Sequence, residues 1–459
     1  AGAVYGFSPA LLQSAIGHYQ LQFAVLPPLI VDRVLRLATS RGRAWLRDAV
    51  WLGVLCAAQV FIAEELLAEA ALAAVLLLAV LALGEPRLAR DRGLAVLGGV
   101  GVAGGTLLVL AGYPLWVQFF GPLVQHGSSF ALAGYHNDDA AFVTPSGYLL
   151  FHTASSAAAA ARFPYGVPEY LAYLGWPLLA ALIALTVVCR RHLAVASCAF
   201  VFIVLELLSL GAQVQLGGTT ITLPWGWLTK VPLLELGLPD RLSILADGFA
   251  AAMIGFGLDA LAARARSAGR PRQIAALWLV AAAAVLPLTP LPLPAAPVPA
   301  LPAGWRAAFA ALRLPPGAPV LTVPVPAAAP MTTPMRWQAD TATPATLIGG
   351  YFLGPNRTGH AALDGAGFRP TALYLDRLWI GDRHRPMPTM AQVDGDLKYW
   401  RPAAVVAVTR ADSVLGRYLT GLFGPPSIRA GQVIAWRLGT SSIRLADRRS
   451  RNRGRQAAG

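Results

Sequence analysis

Eight apolar segments within the first 293 residues restrict this chain more than any other feature. The first, Leu21 to Leu37, is interrupted by Pro27-Pro28. Seven follow: roughly Ala49 to Ala63, Leu66 to Gly84, Gly93 to Tyr113, Tyr170 to Cys189, Leu193 to Gly211, Leu242 to Ala262 and Ile274 to Leu293. Most reach the ~20 residues that a ~30 Å hydrocarbon layer asks of a helix. Proline inside such a helix is tolerated where neighbours satisfy the freed carbonyls. The expectation is an α-helical polytopic membrane protein of about eight transmembrane helices.

Charge supports the same reading. Charged residues make up 13% of the chain and hydrophobic ones 56%, where soluble proteins carry about a quarter charged residues, so a soluble globular enzyme is excluded. The formal charge is +14, from 37 basic and 23 acidic residues. Fourteen arginines lie in alternate connections, at positions 33, 36, 41, 43, 47, 87, 90, 92, 190, 191, 264, 266, 270 and 272. The intervening connections hold three basic residues, Arg162, Lys230 and Arg241. This asymmetry places the arginine-rich loops in the cytoplasm. The positive charge therefore reports orientation in a bilayer, and nucleic acid is not a partner.

The expected organisation is a transmembrane domain over 1–293, with outer loops at about 114–169 and 212–241. A Pro-rich linker (294–318), an extracytoplasmic α/β domain (319–438) and a disordered basic tail (439–459) follow. Val320 to Val325, Ala403 to Val408 and Val433 to Leu438 are short β-branched runs bounded by Gly and Pro, and read as strands. Gly98, Gly99, Gly101, Gly104 and Gly105 lie inside an apolar segment and read as a close helix contact rather than a phosphate loop. Cys56, Cys189 and Cys198 sit in or beside apolar stretches, which suggests neither a disulfide framework nor a metal. The opening Ala1-Gly2-Ala3-Val4 carries no signal-peptide pattern, and the chain is read as beginning downstream of its natural start. Walker, GxSxG and HExxH motifs are not found, which disfavours a nucleotide-driven mechanism.

Candidate chemistry clusters in the outer segments. Asp138 and Asp139 follow His136-Asn137, and paired carboxylates beside a histidine can hold a divalent cation or act as general base. The alternative is a solvated turn. Glu169 heads an apolar segment, where a carboxylate is favoured by the helix dipole with or without a function. Arg241 stands on the basic-poor side, suited to a lipid phosphate, or else paired with Asp240 or Glu235. His18 can bind a substrate hydroxyl or serve packing alone. Glu64-Glu65 makes an outer hairpin turn, and either solvates it or faces the same cavity. Glu69, Glu206, Asp247 and Asp259 are costly in an apolar segment unless partnered. Asp138, Asp139 and Glu169 are thus the catalytic candidates, and Arg241, His18 and His136 the substrate-binding ones.

Several segments carry a likeness by their order: YGFSPALLQSAIGHYQLQFAVLPPLIVDR, AAQVFIAEELL, YPLWVQFFGP, NDDAAFVTPS, PEYLAYLGWPLL, LPWGWLTKVPLLELGLPDRLSILA, MRWQAD and GGYFLGP. Together, from Ala1 to about Leu438, the chain resembles actinobacterial polytopic membrane proteins described as glycosyltransferase-like, of the GT-C class. The resemblance implies transfer of a sugar from a polyprenyl-phosphate carrier to a lipid, glycan or protein hydroxyl of the cell envelope, at the outer face of the plasma membrane. In that class the base is an acid of the first outer loop, and the chain is read as starting after that loop, so this acid maps to no position here. Asp138, Asp139, Glu169 and Arg241 match elements that recur in the class. No organic cofactor is implied, and a divalent cation is compatible but not required. The competing expectations are a transporter or lipid flippase that uses the buried acids, and a non-catalytic envelope assembly protein.

Overall fold

The computed structural model describes residues 1–129, 134–163, 165–216, 219–231, 234–295, 297–327, 331–343, 345–363, 368–382 and 386–439. The tail expected at 439–459 lies, from 440 onward, outside the described residues. The chain divides into two units, Ala1–Phe120 with Phe130–Ala295, and Gly121–Ser129 with Ala296–Gly459.

The first unit is helical and has the helices of a membrane protein. Four among the described residues are long and apolar enough to cross a bilayer: Gly42–Gly84, Pro86–Phe120, Pro239–Ser267 and Pro271–Leu288. Trp176–Val188 and Leu193–Ser209 are shorter and equally apolar. The 43-residue Gly42–Gly84 helix is broken at Ala63, whose backbone is extended (φ −160°, ψ 102°). Trp45 Nε1 donates to the Ala95 carbonyl at 3.1 Å, and Gln118 Nε2 donates to Glu64 Oε1 at 2.8 Å. Pro86–Phe120 therefore runs parallel to the stretch before Ala63. Since only Glu85 separates it from Gly84, the stretch after Ala63 must return antiparallel. The chain thus reverses at Ala63, beside the Glu64-Glu65 pair.

Proline sets two other boundaries. Instead of kinking a helix over Leu21 to Leu37, Pro27 and Pro28 open one, Leu26–Thr39, where a missing N–H costs nothing. The preceding residues form a separate helix, Pro9–Gly17, and a 3₁₀ turn, Tyr19–Phe23. Pro114, expected to begin an outer loop, lies inside the helix that continues to Phe120.

The glycine contact also moves. A Cβ on Gly101, Gly104 or Gly105 would meet nothing within 4 Å, whereas one on Gly53 would lie 2.5 Å from the Ala103 carbonyl oxygen, and one on Gly99 would lie 2.8 Å from Leu37. The close backbone approach is thus made by Gly53, while of the glycines singled out in the sequence Gly99 packs tightly, against the Leu37 side chain, and the Gly101-xxx-Gly105 pair does not. Gly53→Val should cost about 1–3 kcal/mol by overpacking, while Gly101→Val should leave thermal unfolding in detergent unchanged.

The second unit is an α/β sandwich around a five-stranded sheet in the order Thr346–Leu347, Pro319–Val323, Ala404–Val408, Val433–Arg437, Ile428–Ala430. The first three strands are parallel and the last two antiparallel additions. Three of these strands fall on the runs read from the sequence, within a residue or two at each end. Alternate residues feed two cores: Leu321, Val323, Val405, Ala407 and Trp436 on one face, and Val320, Val406, Val433 and Ala435 against Trp305 and Trp337 on the other. Burial of both faces is why the strands read as continuous apolar runs.

Asp376, on the helix Pro370–Trp379, accepts from the Val325 amide at 2.7 Å. Burial pushes its carboxyl up to about 7, against the lowering effect of that hydrogen bond. A carboxyl raised on folding binds more protons folded than unfolded, so stability is lost as pH rises from the unfolded value of about 4 through about 7. Hydrogen exchange of the Ala404–Val408 amides, corrected for intrinsic rates, should be less protected at pH 7.5 than at pH 5. In Asp376→Asn the difference should shrink.

Candidate active site around Arg241

Four distant segments of the first unit meet at Arg241. The residue closes a 3₁₀ turn, Pro239–Arg241, that leads directly into the helix Leu242–Ser267. Its guanidinium grips Glu169 with two bonds, Nε to Oε2 at 3.2 Å and an Nη2 bond to Oε1 at 2.5 Å. Nη1 donates to Glu65 Oε2 at 2.5 Å. The second oxygen of Glu65 accepts from the Leu238 amide at 3.3 Å, which ties the turn to the reversal at Ala63. A planar fork can serve two carboxylates in this way, and a lysine cannot.

Glu169 is in turn the partner of His18, whose Nε2 lies 2.8 Å from Glu169 Oε1. The carboxylate is 2% exposed and the histidine 32%, so the imidazole reaches solvent while its anchor does not. Burial would raise the Glu169 carboxyl. Hydrogen bonds from His18 and Arg241, together with the arginine's charge, outweigh it and hold the group below the ordinary carboxylate range.

Glu169 is not in the first turn of an apolar helix, as its sequence position suggests. It ends a short 3₁₀ turn, Val167–Glu169, and the helix begins at Trp176. Between them Tyr170 to Leu174 are buried in non-helical backbone. Gly175 (φ +78°) redirects the chain, Pro177 opens the helix, and the Leu174 and Gly175 amides both donate to the Phe142 carbonyl. This fold-back turns Glu169 inward to Arg241.

A second set of polar contacts continues below. Asn137 Nδ2 donates to the Asp240 carbonyl at 3.3 Å and to Ser243 Oγ at 2.9 Å. Ser243 Oγ donates to Glu206 Oε2 at 2.9 Å, and Ser209 Oγ reaches the same oxygen at 3.2 Å. Asn137 was legible as part of the NDD run, yet the carboxylates beside it drew the attention. Of the two readings open for Glu65, solvating the hairpin or facing the same cavity as the other candidates, the structure takes the second, and nothing local marks Ser243.

The unpartnered atoms around this network are carboxyl and amide oxygens. They are both carboxylate oxygens of Asp240 and of Glu69, Asn137 Oδ1, Glu206 Oε1, Asp247 Oδ2 and Gln13 Oε1. Each belongs to a residue that is at least nine-tenths buried.

The other candidates lie apart from this set. Asp138 and Asp139 are exposed. Both accept from the Ala140 amide, at 3.3 and 2.8 Å, and Asp138 caps the short turn Asp139–Phe142. Their mutual hydrogen bond raises the Asp138 carboxyl and lowers that of Asp139. This is the geometry of a solvated turn. His136 Nδ1 lies 3.2 Å from the Asn137 carbonyl oxygen. Among the described residues no group of three or more His, Cys, Asp or Glu is arranged to hold a metal ion. Arg241, read as a site for a lipid phosphate or an ion pair with Asp240 or Glu235, directs one bond to Glu65 and two to Glu169.

Compared with models of known protein families and with curated proteins, the chain matches none.

Proposed function

We propose that the chain is a membrane glycosyltransferase of the GT-C type, moving a sugar from a polyprenyl-phosphate carrier to a hydroxyl of an envelope glycan, lipid or protein. The observation that carries this reading is the surplus of buried, unpartnered carboxyl and amide oxygens around a clamped Glu169–His18 pair. Such a site is completed by a ligand rich in hydroxyls, which donate and accept alike, because each buried polar atom left unpaired costs about 1–3 kcal/mol. A sugar, with a hydroxyl on most of its carbons, is that kind of ligand.

In this proposal His18, in place of the first-outer-loop acid that the class resemblance implies, is the general base. With its Nε2–H directed to Glu169, Nδ1 is the free acceptor. Nδ1 takes the proton of the acceptor hydroxyl as that oxygen bonds to the anomeric carbon. The bond from the anomeric carbon to the carrier phosphate oxygen breaks, and its electron pair leaves with the phosphate. Glu169 orients the imidazole and stabilises its charged form, a division of labour familiar from carboxylate–histidine pairs. Arg241 is a positioning residue that fixes Glu169.

Eight spans, with cytoplasmic arginine-rich loops and an extracytoplasmic second unit, belong to the same proposal, supported by the arginine asymmetry and the reversal at Ala63. Membranes carrying the full-length protein should move radiolabelled sugar from polyprenyl phosphate into an envelope acceptor. One observation favours a transporter instead: the buried run Asn137–Ser243–Glu206 links a second acid into the interior beside the Asp240–Arg241 turn. Gradient-dependent uptake into proteoliposomes, abolished by Glu206→Gln and with no sugar transfer, would select that reading.

A further inference from the structure

The second unit carries three consecutive large apolar side chains that its fold leaves in the open. Tyr351, Phe352 and Leu353 are each just over half exposed. Their loop is not slack. The Gly350 amide donates to the Pro326 carbonyl at 2.8 Å, and Gly349 (φ +93°) passes so close that a Cβ there would lie 2.5 Å from the same oxygen. The loop is thus fixed at its base and holds its apolar tip outward. A run of this kind on a water-facing surface is costly and marks a contact site.

The covalent chain says what surface is near. Leu353–Pro355 pairs with Ala361–Leu363 as a hairpin, and the turn between them is bridged to His126. His126 N donates to the Gly359 carbonyl and the Ala361 amide donates to the His126 carbonyl, both at 2.9 Å. His126 comes six residues after Phe120, where one of the four long apolar helices ends. Six residues span at most about 20 Å. The last turns of that helix expose Tyr113, Trp116, Phe119 and Phe120, an aromatic belt of the sort found at headgroup depth. Leu123, in the connecting segment, is also exposed.

Charge selects the lipid. Segments 121–129 and 345–363 contain Arg357, His126 and His360 and no Asp or Glu, the next acid being Asp364, and Arg357 is exposed beside the hairpin turn, its guanidinium 5.8 Å from the Tyr399 ring centroid. We infer that Tyr351, Phe352 and Leu353, with Leu123, seat the second unit on the bilayer, at the boundary between anionic phospholipid headgroups and acyl chains. This inference rests on the membrane helices and not on the sugar-transfer reading.

The test uses the full-length protein, one copy per nanodisc, in phosphatidylcholine–phosphatidylglycerol or in phosphatidylcholine alone. A spin label is placed at Phe352→Cys, at Leu353→Cys, and at the exposed control Asp412→Cys. In the mixed lipid, labels at 352 and 353 should show an oxygen-to-nickel-chelate collision ratio several-fold above that at 412. The ratio should fall in phosphatidylcholine alone and in Arg357→Ala. Ratios at 352 and 353 equal to that at 412 would overturn the inference. So would labels immobilised yet shielded from both oxygen and nickel, which would mean a protein partner.

Discussion

Replacing Arg241 with alanine is expected to destabilise the first unit by about 3–5 kcal/mol, the usual effect of removing one partner from a buried ion pair. Glu169, 2% exposed, and Glu65 would both lose their cation. Lysine at 241 should recover only part of the loss, because a single ammonium cannot grip Glu169 twice while reaching Glu65. The double variant Arg241→Met with Glu169→Gln should recover part of the stability, since the more deeply buried acid is then neutral and only Glu65, 24% exposed, is left without its cation, yet it should show no transfer. Thermal unfolding in detergent and single-turnover transfer would be measured on each. An Arg241→Ala protein that unfolds at the wild-type temperature would mean that the cluster is not what holds the turn to the reversal at Ala63.

The second large effect is expected at His18. His18→Gln keeps a donor toward Glu169 but loses the base, so transfer should fall by about 10²–10⁴-fold. Unfolding should barely change, because a third of the imidazole is already exposed. In His18→Ala, added imidazole should restore part of kcat, which a merely structural role for the histidine would not allow. Acid should act differently on the cluster. Glu169 is held below its ordinary range by His18 and Arg241 against the effect of burial. Its contribution to stability is therefore complete above the unfolded value of about 4.3, and is lost as pH falls through the lowered value.

Much of this architecture could be read from the residues. Apolar length and arginine placement announce membrane helices, and strands buried on both faces announce themselves as β-branched runs. His18, Glu169 and Arg241 stood out because each is polar in an apolar setting. Their meeting was not legible, since positions 18, 65, 169 and 241 are brought together only by tertiary packing. Local chemistry also misled. Pro27-Pro28 and Pro114 read as a kink and a loop start, yet the first pair opens a helix and Pro114 rides inside one. The helix expected from Tyr170 begins at Trp176 because the Phe142 carbonyl, a long-range partner, takes the Leu174 and Gly175 amides. Asp138 and Asp139, the most conspicuous acids in the sequence, form an exposed turn. The glutamate that their loop helps to enclose was the less conspicuous one.

The most direct test of the account is transfer of radiolabelled sugar from polyprenyl phosphate to envelope acceptor, measured in parallel membranes carrying wild type, His18→Gln and the double variant Asp138→Ala/Asp139→Ala at matched expression. The account predicts transfer by the wild type, near-wild-type transfer by the double aspartate variant, and loss of about 10²–10⁴-fold in His18→Gln. Wild-type rates in His18→Gln together with loss in the aspartate variant would contradict it.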